Sequence, residues 1–195
     1  MDRRPFLKKL TLATSAVSAL PFFTFGKMGF PENNSLKFII ASDGHYGQPN
    51  TDFEGIHTRL IEAVNGEKDV DFVVFNGDLI HDDPALMPKV KAVYDTLKVP
   101  YFPVKGNHDR VSEAEWNRIW GIPADFAFKV KGNYGMILAN SSNEAGDYLC
   151  ANTEFLKFKL EEFNDLSHVF LFIHISQNDW TKHGVSCGEV MEQIA

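Results

Sequence analysis

The chain has 195 residues, 44% of them hydrophobic, which suits one domain with a sizeable core to which 17 Phe residues contribute much of the volume. Its net charge is −7, and because residues 1–26 carry Arg3, Arg4, Lys8 and Lys9 against Asp2, a local +3, the remainder carries −10. A body that acidic argues against a nucleic-acid backbone or an anionic membrane as partner and suits cations wherever its carboxylates converge.

Asp2-Arg-Arg-Pro-Phe-Leu-Lys8 followed by small and apolar residues from Leu10 to Phe25 reads as a basic n-region and a short h-region. The run is too short for a comfortable spanning helix, so no stable membrane span is expected once the signal is cut. The paired arginines followed by x-Phe-Leu-Lys are similar to a twin-arginine export signal. That likeness implies export machinery as a partner and an extracytoplasmic destination, periplasmic or secreted. Residues 1–26 are therefore set apart from a body of 27–195.

In the body, Leu36–Ala41 reads as a first strand emptying into Ser42-Asp43-Gly44-His45. Thr51 to Val64 has helical spacing, with Gly66 as its stop. Val70–Phe75 is a second strand and empties into Asn76-Gly77-Asp78. Pro84 opens a second helix through Leu97. Val99–Val104 is a third strand and delivers Lys105-Gly106-Asn107-His108-Asp109-Arg110, with Gly106 expected to allow a sharp turn. Strand–helix–strand–helix–strand with these connection lengths predicts a parallel sheet, whose carboxyl ends are where such sheets present their chemistry.

Ser112 to Trp120 reads as a short helix with Glu115 at the capping-box position. Ala124–Val130 and Tyr134–Ser141 read as strands joined by a hairpin-like turn at Lys131-Gly132-Asn133. Thr153 opens a further helix. The uninterrupted apolar run Val169–Ile173 predicts a strand buried on both faces, ending in His174. Gly188 to Ala195 looks helical. Cys150 and Cys187 are too few for a disulfide framework or a four-cysteine zinc site and read as inert buried thiols, with pairing in an oxidising compartment left open.

Each strand-end cluster is ordinary alone: Asn-His-Asp is a common polar turn, and a histidine closing an apolar strand is usually a satisfied core residue. Together, Asp43, His45, Asp78, Asn107, His108, Asp109 and His174 all follow predicted strands immediately. Oxygen and nitrogen donors without thiolate suit Zn²⁺, Mn²⁺ or Fe²⁺. A carboxylate such as Asp78 can bridge two cations, and such a pair can clamp a phosphate. His108 beside them could protonate a leaving alkoxide, with Asp109 to orient its ring. No Gly-x-Ser-x-Gly elbow exists, which disfavours a serine hydrolase.

Asp43-Gly44-His45, Gly77-Asp78, Gly106-Asn107-His108-Asp109 and His174, in order across residues 36–176, resemble the signature of the calcineurin-like metallophosphoesterase superfamily. The resemblance implies a four-layer α/β/β/α sandwich and two divalent metal ions acting on a small phosphate ester, monoester or diester. It implies that Asp43, His45 and Asp78 hold one ion and that Asp78, Asn107 and His174 hold the other. His108 would be the catalytic imidazole and Asp109 its partner, with Asn107 and His108 also meeting the substrate. Purple acid phosphatases, a branch of the family, carry Gly and Tyr where this chain has His45 and His81, so the iron-tyrosinate branch is disfavoured and His81 becomes a candidate substrate contact. The family's closing Gly-His-x-His is absent, and His183-Gly184 has the wrong order and comes too soon after His174. The expectation is therefore a C-terminally truncated member with an incomplete second sheet, each ion short of one protein ligand. A catalytically silent fragment or pseudoenzyme that keeps the fold for binding is the competing expectation.

Overall fold

A computed structural model of the chain describes residues 35–195. The export segment read at 1–26, and the boundary after it, lie outside the described residues. The described residues form two three-stranded sheets. In the first, Phe38–Ala41 (β1), Phe72–Asn76 (β2) and Tyr101–Val104 (β3) run parallel in that order. Parallel neighbours need crossovers, and the helices Phe53–Gly66 (α1) and Met87–Tyr94 (α2) supply them. The Asp52 side chain caps α1 by accepting from the Gly55 N–H.

The helix predicted over Pro84–Leu97 divides. Pro84–Leu86 forms a 3₁₀ turn capped by Asp83, and Pro88, lacking an N–H, is accommodated in the first turn of α2. Beyond Tyr94, Thr96 and Leu97 donate to carbonyls only three residues back, so the last turn tightens out of α geometry. Ser112 caps Glu113–Trp120 (α3) as expected, but the Glu115 carboxylate pairs with Arg118 instead of returning to the cap, leaving half a capping box.

The second sheet joins Phe126–Val130 (β4) antiparallel to Tyr134–Ala139 (β5), which pairs parallel with His168–Ile173 (β6) across the helix Thr153–Glu162 (α4); Gly188–Ile194 (α5) follows. Three apolar clusters define four layers. Val73, Phe75, Tyr94 and Trp116 pack the first sheet against α1–α3. Phe72, Val74, Phe102 and Val104 meet Met136, Leu138 and Phe172 between the sheets. Ile137, Ala139, Leu156 and Val190 pack the second sheet against α4 and α5. This is the α/β/β/α sandwich expected. The strand β6 is not buried throughout: among the described residues it pairs with one strand, β5, and of its own residues only Phe172 is buried, so its apolar run reflects alternate residues facing the inter-sheet core and the outer helices. Among the described residues, no helix is long and apolar enough to cross a membrane.

The cysteines are not inert thiols. Cys150 and Cys187 form a disulfide across a separation of 37 residues, tying the loop after β5 to the segment that leads into α5. That segment folds back through Val185 N–H to Ser176 O and Cys187 N–H to Gln177 O, which brings two sequence-distant sulfurs together in a way no local pattern announces. Closing a loop of that length restricts the unfolded chain by about 3–4 kcal/mol. Urea unfolding of a Cys150→Ser/Cys187→Ser protein is expected to show that loss; a change under about 0.5 kcal/mol would mean that the bridge adds little beyond the native packing.

Candidate metal centre

The carboxyl ends of β1, β2, β3 and β6 converge on one cavity of about 380 Å³, whose lining includes Asp43, His45, Asp78, Asn107, His108 and His174. The backbone is bent hard to bring them there. Asp43, His45, Asp78, Asp82 and Arg110 have positive φ, between 42° and 61°. Such conformations cost non-glycine residues about 1–3 kcal/mol each and persist only where the surroundings over-determine them. Here the loops hold one another: Asp43 N–H donates to Gly77 O, His45 N–H to Asp78 O, His81 N–H to Tyr46 O and Asp82 N–H to His108 O.

Two glycines permit the close approach. A Cβ on Gly77, whose φ is +86°, would collide with the His174 ring, and one on Gly106 would collide with the backbone and carboxylate of Asp78. Gly106 thus lets the third loop turn tightly against the second, and it does so without a left-handed backbone.

Asp78 occupies the centre. Its Oδ1 accepts the His108 N–H at 2.9 Å, which fixes the carboxylate plane. Its Oδ2 lies 3.6 Å from His45 Nε2 and 3.2 Å from His174 Nε2, one histidine from each sheet. The His174 Nδ1–H donates to Asn76 O at 2.8 Å, so Nε2 is the nitrogen left facing Asp78, where a cation could replace its proton. Burial alone would oppose charge on His174, but the hydrogen bond and charge of Asp78 outweigh it and its pKa rises. Burial likewise opposes ionisation of Asp78, and His174 with the His108 N–H overcomes it, holding the carboxyl below its ordinary range. For His45 burial prevails, with His108 and His81 adding to it, and the pKa falls despite Asp78 and Asp43, which favours the neutral imidazole.

These donors fit divalent cations. One ligand atom each from Asp43, His45 and Asp78 lies within 4.8 Å of the others. Neighbouring donors about 3.3–3.4 Å apart are what a tetrahedral ion with bonds of about 2.0–2.1 Å requires, and the Asp78 Oδ2 contacts straddle that spacing.

Asp109 does not orient His108. It is fully buried, and its carboxylate accepts the N–H groups of Leu79 at 2.8 Å, Ile80 at 3.1 Å and Gly106 at 2.7 Å. It ties the second loop to the third. The residue that meets His108 is Asp82, whose Oδ1 lies 3.0 Å from His108 Nδ1 and also accepts from Arg110 Nε. Adjacency in sequence suggested Asp109; the turn after Gly106 sends it inward instead. The sequence signal for Asp82 is weak, one of two aspartates following Ile80-His81. His81 stands behind His45, with its Nδ1 3.3 Å from His45 Nδ1, and not on the cavity wall where a substrate contact would be. Tyr148 and His183 do line that wall, on the two segments joined by the disulfide. His183, set aside because its motif order is wrong, is carried there by the fold-back before α5.

Burial pushes the Asp109 pKa up to about 7, against the three N–H donors and with help from Asp78. Its folded-state pKa therefore exceeds the unfolded value of about 3.9, so stability is greatest below that value and declines as the pH rises toward 7. Asp109→Asn is expected to cost about 2–3 kcal/mol at neutral pH, because an amide NH₂ must face one of three N–H donors, and to flatten the pH dependence between 4 and 7. Urea unfolding at both pH values checks it, and unchanged stability would contradict the structural role.

The family model for calcineurin-like phosphoesterases matches residues 36–187. No curated protein matches the sequence. Among solved structures, the crystal structure of a dimetal phosphatase from Danio rerio LOC 393393 is similar in fold with a TM-score of 0.60 at 14% identity, covering 82% of this chain and 77% of that one.

Proposed function

The chain belongs to the calcineurin-like phosphoesterase family and is a metal-dependent phosphoric ester hydrolase, and we propose that it is an exported one that acts through two divalent cations on small phosphomonoesters or phosphodiesters. The observation that carries the reading is the single oxygen of Asp78, Oδ2, set between His45 Nε2 and His174 Nε2 at the mouth of two sheets. In this reading Asp43, His45 and Asp78 hold one cation, and Asp78, Asn107 and His174 hold the other, with Zn²⁺, Mn²⁺ or Fe²⁺ suited to the donor set. When bound, such a pair supplies Lewis acidity toward phosphoryl oxygens and acidifies water near neutral pH.

The chain's own residues do the rest. Asp82 takes the Nδ1–H of His108, which leaves Nε2 as the nitrogen able to carry a proton to the leaving oxygen. Arg110, bonded to the same carboxylate oxygen, keeps Asp82 ionised: burial raises its pKa, but Arg110 and His108 together lower it further. Asn107 and His108 line the cavity where a phosphate would sit. The Cys150–Cys187 disulfide supports export, since such bridges persist in oxidising compartments.

Reconstitution of the apoprotein with Zn²⁺ or Mn²⁺, followed by turnover of p-nitrophenyl phosphate and its bis-ester, tests the enzyme reading. Two equivalents bound with metal-dependent release of p-nitrophenol is the expected result; less than one equivalent and no turnover above an Asp78→Asn control would overturn it. Release of the protein by osmotic shock tests the destination, and retention with the cytoplasmic fraction would remove export.

A further inference from the structure

The two imidazoles that face Asp78 have their other nitrogens satisfied differently. His174 donates its Nδ1–H to a backbone carbonyl, Asn76 O. His45 turns Nε2 toward Asp78 and Asp43, at 3.6 and 4.0 Å, and its Nδ1 meets a side chain, His81 Nδ1 at 3.3 Å. Two imidazole nitrogens at that distance make one hydrogen bond only if one carries the proton and the other the lone pair. A lone pair at His45 Nε2 requires its proton at Nδ1, so His81 Nδ1 is the acceptor and His81 carries its own proton at Nε2. That proton points to the side of Asp82, whose Oδ2 is 3.8 Å from His81 Nε2.

The backbone holds His81 in this place. Its N–H donates to Tyr46 O, next to His45, and Tyr46 bridges Ile80. The His81 ring lies at 72° to that of His45 and nearly parallel to that of His108, 9° away from coplanar orientation. A half-buried ring gripped between two others cannot rotate freely to present its other nitrogen.

We propose that His81 is a positioning residue of the metal centre: by accepting the Nδ1 proton of His45 it fixes that ring with Nε2 directed at the cation. The proposal rests on the reading of His45 as a ligand given above. It extends the same logic that Asn76 O applies to His174, and partners of this kind are worth about 10–100-fold in metal affinity. Asp82 meets His108 through Oδ1, while its Oδ2 lies 3.8 Å from His81 Nε2, beyond hydrogen-bond reach, so the His45 Nδ1 contact is what defines the role of His81.

The test is cation affinity of the apoprotein, measured with Zn²⁺ against a chromophoric chelator, together with the visible spectrum of the Co²⁺-substituted protein. His81→Leu and His81→Ala remove the acceptor, and either serves if the other does not fold. His81→Asn keeps an acceptor, since its amide oxygen can stand where Nδ1 stood. Expected is a 10–100-fold weaker site with an altered Co²⁺ spectrum in the first two and recovery to within about threefold in His81→Asn. Wild-type binding with unchanged affinity and spectrum in His81→Leu overturns this proposal and leaves the metal reading standing. A wild-type protein that binds no cation overturns both. His45, His81 and His108 also bring one nitrogen each within 4.8 Å of one another; loss of a third equivalent in the His81 variants would make His81 a direct ligand and overturn the positioning role.

Discussion

Asp78→Asn is expected to lower kcat/KM for phosphate-ester hydrolysis by at least about 10³-fold, roughly 4 kcal/mol of transition-state stabilisation, and to release at least one equivalent of bound cation. The size follows from what the substitution removes. Asp78 is buried, and its two oxygens have separate duties: Oδ1 accepts the His108 N–H and Oδ2 faces both His45 and His174. An asparagine can keep the first contact through its amide oxygen, so the loop keeps its shape. It then turns an NH₂ group toward His45 Nε2 and His174 Nε2, the nitrogens that offer lone pairs in the proposed two-cation reading, and it removes the negative charge which that reading places between the cations. Cation content by elemental analysis and turnover should therefore fall together while the far-ultraviolet circular dichroism is preserved. Asp78→Asn protein that retains two equivalents and the wild-type rate would take Asp78 out of the centre.

The same residue shows how far the sequence carries. Apolar runs ending in polar clusters were enough to order the strands, because a buried strand must be continuous in apolar residues and its end must meet water. They also placed Asp43, His45, Asp78, Asn107, His108 and His174 around one cavity. What they could not resolve is direction within a turn. Asp109 follows His108 directly, yet it points into the core to cap three N–H groups, and Asp82, 26 residues earlier, reaches His108 instead. Side-chain direction there depends on positive-φ residues such as Asp82 and Arg110, which are not glycines and carry no lettering that marks them. The disulfide was illegible for a related reason: Cys150 and Cys187 meet only because residues 176–187 double back beside the loop after β5. Lys105 is a third case. A lysine carries no lettering that marks it as buried, yet Lys105 is buried, and its ammonium donates to Ser142 O at 2.9 Å and Asn143 O at 3.1 Å, tying the loop after β3 to the loop after β5.

His108→Ala is expected to reduce kcat by about 10²–10⁴-fold on alkyl phosphates, the range for loss of a positioned acid, and by much less on p-nitrophenyl phosphate. The contrast arises because an alkoxide must be protonated as it leaves, whereas p-nitrophenolate is stable without a proton. Metal content should be unaffected if the role of His108 is to carry that proton. Asp82 then follows as the residue that makes His108 effective: Asp82→Asn keeps an acceptor for the Nδ1–H but loses the charge that favours the imidazolium, and a decrease of about 10-fold in kcat on the same alkyl substrates is expected, with KM little changed. Its side chain is 41% exposed and hydrogen-bonds to two other side chains, His108 and Arg110, so folding should tolerate the change. The decisive comparison is the double variant. If Asp82 acts through His108, removing it in the His108→Ala background costs nothing further, and the two effects fail to add. Additive losses would instead give Asp82 its own contact with the substrate, through Arg110 or directly, and would separate the carboxylate from the proton transfer assigned to the pair.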